Sequence, residues 1–419
     1  MLDNDMSMAA ARPSDLKLNN RIQILELFKS GTVYSVADLA KHIGISRQTV
    51  MKAIQFFLEK GIIVSDGKAS SGSMGGKRAE LFTLSADRYL FNVLICPSCL
   101  YISLFNYRCE VIDEYMREDI VGQDVDRIMD AAVTVCDELL SKHGLSKADV
   151  RGVCLSTSGI FDRATGRVRY NSLFPAWGKD VPLVNKLRDY FGEDVIVLPD
   201  NVARVCGSAY LHGLHASRNS VITVFSRWGG VGACFLAGDH IVYGKDALIG
   251  EIGHMIVNPC DPEVCACGSR GCFERQVSVE RLRSLALQWR DDHPESRLAR
   301  EPLEAMTIQD VFAASEQGDT LGRTLSAYAA TQFATALRNM TLMFNPDEII
   351  LLGDYASADD HFREILYREL RTFRYYSDSA DGDNPFRLKV DQRRIQELTT
   401  LGAYSLLINR LFSDETTYL

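Results

Sequence analysis

One short stretch limits this chain more than any other. "CACGSRGCFE", Cys265 to Glu274, holds three cysteines at C-x-C-x4-C spacing with Gly268 and Gly271 between the last two. Thiols so close can hold a metal, close a disulfide, or merely pack and oxidise. His254 lies eleven positions before Cys265, so one imidazole and three thiols fall within nineteen residues. His254, Cys265, Cys267 and Cys272 match a closed Cys3His zinc site, in which soft thiolates and one imidazole surround Zn2+ tetrahedrally and the glycines let the loop turn. Cys260 offers an alternative fourth ligand. Structural zinc sites in small peptides bind with roughly 10–16 kcal/mol, enough to order a loop with little core of its own. If one nitrogen of His254 binds the metal, the other carries a proton and becomes a fixed donor.

The rest of the composition narrows the choice. The "MLDNDMSMAA" start lacks the basic-then-apolar order of a signal peptide, and the apolar runs fall short of the ~18 residues that cross a bilayer. The expected location is the cytoplasm, without membrane insertion, where structural disulfides are disfavoured. Of the eleven cysteines, Cys96, Cys99, Cys109, Cys136, Cys154, Cys206 and Cys234 sit singly or loosely in apolar segments, as small hydrophobes do. Charge is uneven along the chain. Residues 1–85 carry 11 Lys and Arg against 8 Asp and Glu, and the remainder 35 against 47. A slightly basic head on an acidic body fits a module that meets phosphate and a body that does not.

The head reads as three helices. After a flexible polar tail (1–19), "NRIQILELFKS" aligns Ile22, Ile24, Leu25, Leu27 and Phe28 in an apolar stripe that Gly31 ends. "SVADLAKHIG" begins at an Ser35 cap, and "SRQTVMKAIQFFLEKG" begins at a Ser46 cap and turns Val50, Ile54, Phe57 and Leu58 inward. The tight "HIGIS" connection gives a helix-turn-helix. Arg47, Gln48, Thr49 and Lys52 stand near the start of the third helix, where such side chains reach bases and phosphates. Two strands, 62–65 and 80–84, then flank a Gly/Ser-rich loop with Lys68, Lys77 and Arg78, which reads as a wing whose basic tip, with Lys77 and Arg78, follows the DNA backbone or enters the minor groove. The plainer alternatives are a three-helix interaction module and a solvated linker. The head so defined spans residues 20–85.

From Tyr89 onward strand-like and helical runs alternate, which indicates an α/β body. Here the residues resemble a known family. "GEIGHMIVNPCDPEVCACGSRGCFE" looks like the signature of the ROK family of bacterial sugar-responsive repressors and sugar kinases. "STSGIFDRATG", "YNSLFPAWGKDVPL", "VLPDNVARVCGSAYLHG" and "IILLGD" follow in that family's order, and the winged head is similar to that of the repressor branch. The resemblance implies an α/β fold in which the winged helix-turn-helix precedes a two-lobed, actin-like (ribonuclease-H-like) body with a zinc loop. The first lobe is expected at 89–200 plus 396–419 and the second at 201–395. It further implies that Asn171, Glu251, His254 and Glu274 contact sugar hydroxyls. Asp200 falls at the position that serves as the catalytic base in the kinases, and here is expected to bind ligand only.

Departures from the kinase pattern separate the two branches. The first phosphate loop, D-x-G-G-T in the kinases, is "LICPSCLYIS" here, without the Asp or the glycines, and Pro97 removes a backbone donor. The second reads "WGGVG", with an indole in front and no Thr hydroxyl, and the third ends in Gly353-Asp354, which sets a carboxylate near a nucleotide's phosphates. Phosphoryl transfer relies on positioning and charge neutralisation, so three such changes disfavour an enzyme. Pro199 and Ser208 also replace polar or acidic residues common in the family, which alters the choice of ligand. The resulting expectation is a repressor that binds operator DNA as a homodimer or homotetramer and answers to a sugar or sugar phosphate. A sugar kinase, or a regulator controlled by a protein such as a transport component, is the alternative.

Overall fold

The computed structural model describes residues 13–29, 31–68, 78–118, 120, 122–162, 165–211, 220–238, 240–372 and 386–413. Helix α1 (Pro13–Phe28) begins seven residues before the expected Asn20, so residues 13–19 of the expected tail are helical, while residues 1–12 lie outside the described residues. Proline suits a first helical position, and the polar turn that follows has no apolar stripe by which a helix would be read. Strand β1 (Tyr34–Ser35) leads into α2 (Val36–Ile43), where Ser35 and Asp38 form a reciprocal capping box and Gly44 closes the helix at φ 77°. Helix α3 (Arg47–Glu59) is capped by Ser46, whose hydroxyl accepts from the Thr49 N–H at 3.1 Å. It buries Val50, Ala53, Ile54 and Phe57; Leu58, expected inside, is 40% exposed at the edge of that stripe. Strands β2 (Ile63–Lys68) and β3 (Glu80–Leu84) pair antiparallel, and β1 joins β3 to complete the winged sheet.

The body is built on two five-stranded sheets. The first contains β4 (Tyr89–Cys96), β5 (Cys99–Asn106), β6 (Val111–Arg117), β7 (Val150–Thr157) and, after the small β8 (Ile160–Asp162)–β9 (Arg167–Tyr170) ribbon, β10 (Ile196–Asn201). Its order is β10-β7-β4-β5-β6, with α4 (Val125–Lys142) and α5 (Asn185–Phe191) covering one face through a core that includes Phe91, Ile102, Leu139 and Leu187. Helix α6 (Val202–Ser208) then leads to the second sheet, formed by β11 (Ser220–Arg227), β12 (Gly230–Ala237), β13 (His240–Ile241), β14 (Glu348–Gly353) and β15 (Arg387–Asp391) in the order β13-β12-β11-β14-β15. Between β13 and β14 the chain makes the cysteine loop and the helices α7 (Phe273–Val277), α8 (Val279–Trp289), α9 (Ile308–Glu316) and α10 (Thr320–Phe344). Their core gathers Phe273, Phe312, Phe333 and Tyr355, and α11 (Asp360–Arg371) adds Phe362.

The last helix, α12 (Ile395–Phe412), returns to the first sheet. Asn92 on β4 donates to Thr399 and Thr400 at 3.1 and 3.3 Å, and Ser103 on β5 shares a 2.8 Å bond with Thr400. Toward its C-terminal end α12 becomes part of the head: Tyr404, Leu407, Leu411 and Phe412 share one buried cluster with Ile24, Phe28, Phe57 and Leu84. Lys29 of the head bonds both Glu26 and Asn409. The chain boundary near residue 85 is therefore crossed by a continuous core. Among the described residues no helix is long and apolar enough to cross a membrane.

Helix α12 crosses α6 at Gly402, where an added Cβ would lie 1.7 Å from the Val205 carbonyl oxygen. On the other side of α6, a Cβ at Gly207 would lie 2.2 Å from that of Cys234 on β12. Backbone thus meets its neighbours on both sides of α6, and neither contact can relax by moving a side-chain tip. Gly402→Ala is expected to destabilise the chain by at least about 1–3 kcal/mol, the usual cost of overpacking. A lowered midpoint in urea unfolding of Gly402→Ala beside the parent checks this.

Candidate functional site

The cysteine loop folds as a small knot of backbone bonds. The Cys265 N–H donates to the Ser269 carbonyl and the Gly268 N–H to the Cys265 carbonyl, both at 2.8 Å, so residues 265–269 make a tight turn. The Phe273 N–H donates to the Met255 carbonyl at 2.8 Å, tying the loop's exit to its entrance. Phe273 itself is fully buried against Phe333, with ring centroids 4.9 Å apart, which anchors the whole loop to α10.

These constraints bring His254, Cys265, Cys267 and Cys272 together, with all four ligand atoms within 4.8 Å of one another. Metal–sulfur bonds of about 2.3 Å in a tetrahedron require ligand atoms about 3.8 Å apart. The Cys267 and Cys272 sulfurs are 3.5 Å apart, and the Cys265 sulfur is 3.7 Å from His254 Nδ1. The donor set and its spacing therefore fit a closed metal site. Cys260 is exposed and outside the cluster, so His254 takes the fourth place. Around the loop, Asn258 donates to the Gln276 side-chain oxygen at 3.2 Å, Tyr328 donates to the same oxygen at 3.1 Å, and Gln276 donates to Asp261.

His254 of this cluster forms part of the wall of a cleft between the lobes. Ser158, Gly159, Tyr170 and Ser172 line it from one side, and Arg227, Trp228, Glu251, His254 and Glu274 from the other. The short 3-10 turn Ile252–His254 carries His254, with Glu251 as its preceding residue, and α7 carries Glu274 in its first turn. His254 Nδ1 faces both Cys265 and a Glu274 oxygen, the latter at 3.4 Å. Metal on Nδ1 leaves the proton on Nε2, a donor held in one direction. Burial raises the Glu251 carboxyl above its ordinary value, while Arg204 and His254 oppose that shift. The cleft thus has carboxylate acceptors, and with a metal in the cluster it would also have a fixed donor in His254, the groups that recognise hydroxyls.

Two of the expected ligand residues lie behind this wall. Asn171 is 1% exposed and occupied locally: its side-chain oxygen accepts from the Ser158 hydroxyl and the Leu173 N–H, and its amide donates to the Ser158 carbonyl. Asp200 is 3% exposed, and one oxygen accepts from Arg204 Nε at 2.6 Å and from the Asn201 N–H at 2.7 Å. Arg204 is itself buried and also donates to the Ala247 and Ile249 carbonyls. Asn201 lines the cleft instead, capping α6 and donating to the Gly159 carbonyl at 3.0 Å. Sequence reasoning missed Arg204. Its signal was a lone charge in the otherwise apolar "NVARVCG", four residues after Asp200, where helical side chains meet.

At the three loop positions compared with the kinases, the structure places other features. "LICPSC" is a hairpin turn in which Cys96 pairs with Cys99. Trp228 sits at the β11–β12 turn at φ 54°, an uncommon conformation for a bulky residue. Asp354 follows β14, 3.9 Å from Arg227 and 3.4 Å from the Gln309 amide, and burial raises its carboxyl above the ordinary value. In the head, Arg47, Gln48 and Lys52 are exposed, Thr49 is half-buried and bonded to Ser46, and Arg78 is exposed. Lys77 lies outside the described residues.

Two outcomes follow from this geometry. Cys267 is the exposed member of the cluster, so Cys267→Ser perturbs the fold chiefly through the metal; elemental analysis is expected to find the ion lost and the melting temperature lowered, and full metal content would remove Cys267 from the site. Asp354 has a folded-state pKa above its unfolded one, so its favourable contribution is complete below the unfolded value of 3.8 and is lost as pH rises through the folded one. Asp354→Asn should therefore melt higher than the parent at pH 7, by a margin that narrows as pH falls toward 4.

Comparison with known proteins agrees with both halves of the chain. Residues 18–64 match a family described as winged helix-turn-helix DNA-binding, and residues 123–408 match the ROK family. The chain is 22% identical over 402 residues to the putative xylose repressor of Caldicellulosiruptor sp., covering 95% of this chain and 97% of that protein. It is 21% identical over 356 residues to the DNA-binding transcriptional repressor Mlc of Escherichia coli, covering 85% and 86%. Glucokinase of Halalkalibacterium halodurans is 27% identical over 281 residues, covering 66% of this chain and 83% of the enzyme. A crystal structure of a ROK family transcriptional regulator, described as a homologue of the E. coli MLC protein, has the same fold from head to last helix: TM-score 0.76 at 19% identity, covering 95% of this chain and 97% of that one. With its family match spanning the body from α4 to α12 and the cysteine loop between, the chain belongs to the ROK family.

Proposed function

We propose that this chain is a DNA-binding transcription regulator, a repressor of carbohydrate uptake or catabolism genes, controlled by a sugar or sugar phosphate in the interlobe cleft. The observation that carries the proposal is the join between two parts of one chain. A winged head exposes Arg47, Gln48 and Lys52, and a body holds Glu251, His254 and Glu274 around a cleft, with α12 belonging to the cores of both. Glu251 and Glu274 accept ligand hydroxyls, and Zn2+ in the Cys3His cluster orients the His254 donor. Asn171 and Asp200 hold the wall from behind and shape the ligand's seat.

The route from cleft to head is short. Asn201 on the cleft wall begins α6, α6 meets α12 backbone to backbone at Gly402, and α12 ends among the head's apolar residues. A ligand that changes the cleft by an energy of roughly 1–3 kcal/mol changes operator affinity about 5–150-fold if that route carries it to the head. Paired copies of the chain, as a homodimer or homotetramer, present two recognition helices to two half-sites. The protein then works in the cytoplasm, where its DNA is.

A sugar kinase with an appended head is the second reading, favoured by the glucokinase relative. Against it stand the Pro97 hairpin, Trp228 and the Asp354 carboxylate where phosphate would lie, and the Arg204 partner that occupies Asp200. Melting the zinc-loaded protein with sugars, sugar phosphates and ATP separates the two, because a ligand at 100 times its Kd adds roughly 2.7 kcal/mol. A sugar-type shift without an ATP shift is expected; ATP binding with phosphate transfer to sugar would overturn the proposal. In the head, Arg47→Ala should weaken binding to duplexes selected from a random pool by about 5–150-fold, the cost of one bidentate base contact. Unchanged affinity would mean that α3 is not the reader.

A further inference from the structure

The turn between β4 and β5 contains a pair of sulfurs that neither the metal site nor the cleft uses. Cys96 and Cys99 are opposed in the antiparallel register, with only Pro97 and Ser98 between them. Their Sγ atoms lie 2.7 Å apart, and Cys96 Sγ also donates to the Cys99 carbonyl at 3.2 Å. Both thiols are buried, at 1% and 5% exposure, but Ser98 beside them is exposed and the turn opens to solvent there. Among the described residues the one group of three or more metal-ligating side chains is the His254 cluster, so this pair lacks the further ligands of a closed metal site.

We propose that Cys96 and Cys99 form a reversible oxidation site, closing to a disulfide when the protein meets hydrogen peroxide. A disulfide needs sulfurs about 2.05 Å apart, so the thiols close by a fraction of an ångström and the hairpin keeps its register. Cys96 is the attacking thiol. The hydrogen bond from Cys99 lowers it to about 7, whereas burial pushes Cys154, Cys206 and Cys234 well above the ordinary thiol value. The Cys96 thiolate attacks one peroxide oxygen, the O–O bond breaks, and hydroxide leaves and takes up a proton as the first water. Cys99 sulfur then attacks the sulfenic sulfur, the S–O bond breaks, and the Cys99 proton leaves with the oxygen as the second water. Two thiols are oxidised by two electrons and one peroxide is reduced to two waters; an added dithiol reverses the change.

The position gives the bond a consequence. Cys96 and Cys99 share a buried cluster with Phe225 of β11 and Val202 and Ala203 of α6, and Trp228 packs against the same cluster. Phe225, Val202, Ala203 and Trp228 also line the cleft. Oxidation fixes the turn against one wall of the ligand site.

The test uses the full-length, zinc-loaded protein. After brief exposure to hydrogen peroxide at neutral pH, unfolding and alkylation, trypsin releases the peptide Tyr89–Arg108, which contains Cys96 and Cys99 and no other cysteine. The expected peptide carries no alkyl group, has lost the mass of two hydrogens, and recovers two alkylatable thiols when dithiothreitol precedes alkylation. It should form at least about tenfold faster than Cys206 or Cys234 loses alkylation, since only a thiolate attacks peroxide readily. A peptide still doubly alkylated, or one carrying added oxygen without the bridge, would overturn the proposal. So would oxidation that reaches the Cys260–Cys272 peptides first. Cys99→Ser removes the partner and is expected to leave Cys96 as a sulfenic acid that a 1,3-dione traps; no trapping in the folded variant would remove Cys96 as the attacking group.

Discussion

Helix α6 is packed so closely that neither Gly207 nor the Gly402 crossing has room for a side chain, and much of the molecule depends on these two contacts. Gly402 lets α12 lie against the Val205 carbonyl, and Gly207 lets β12 lie against the opposite side. No side chain larger than hydrogen fits either place, because the Val205 carbonyl stands at Gly402 and the Cys234 and Thr223 side chains at Gly207. The cleft lies where the sheets diverge. Asn201, the cap of α6, stands on the cleft wall, and α6 packs at Gly402 against α12, which shares the head's core.

The metal cluster and the cleft are one construction seen from two sides. Three sulfurs and His254 Nδ1 close a loop with little apolar surface of its own, and buried Phe273 ties it to α10. The same loop sets His254 and Glu274 on the cleft wall. A cation among those ligands would hold the two side chains that face a ligand, which joins the stability of the loop to the geometry of recognition. Hydrogen bonds from Asn258 and Tyr328 to Gln276, and from Gln276 to Asp261, tie the loop to the helical region.

In the proposed reading, three features of the chain weigh against phosphoryl transfer. Asp200, in the place of a base, is 3% exposed and its Oδ1 is held by Arg204 Nε and the Asn201 N–H. Asp354 adds a buried acid near the end of β14, and Trp228 fills a turn where small residues would let backbone donors approach an anion. These are three different physical obstacles at three separate points in the chain.

What the sequence determined by itself was whatever depends on neighbours in the chain. The capped helices at Ser35 and Ser46, the alternation of strands and helices, and the His254–Cys265–Cys267–Cys272 set are all written within short spans, because caps, strand periods and loop ligands act over a few residues. Glu251, His254 and Glu274 were named through the resemblance to the ROK family, and the fold brings all three to the cleft wall. The directions of Asn171 and Asp200 were not, since each is fixed by a bond whose geometry depends on folded backbone: Ser158 for one and Arg204 for the other. Cys96 and Cys99 read as ordinary buried thiols until the register of β4 against β5 set them face to face. The union of head and body through α12 joins residues nearly 400 positions apart, and only tertiary packing, which brings distant apolar surfaces out of water together, could decide it.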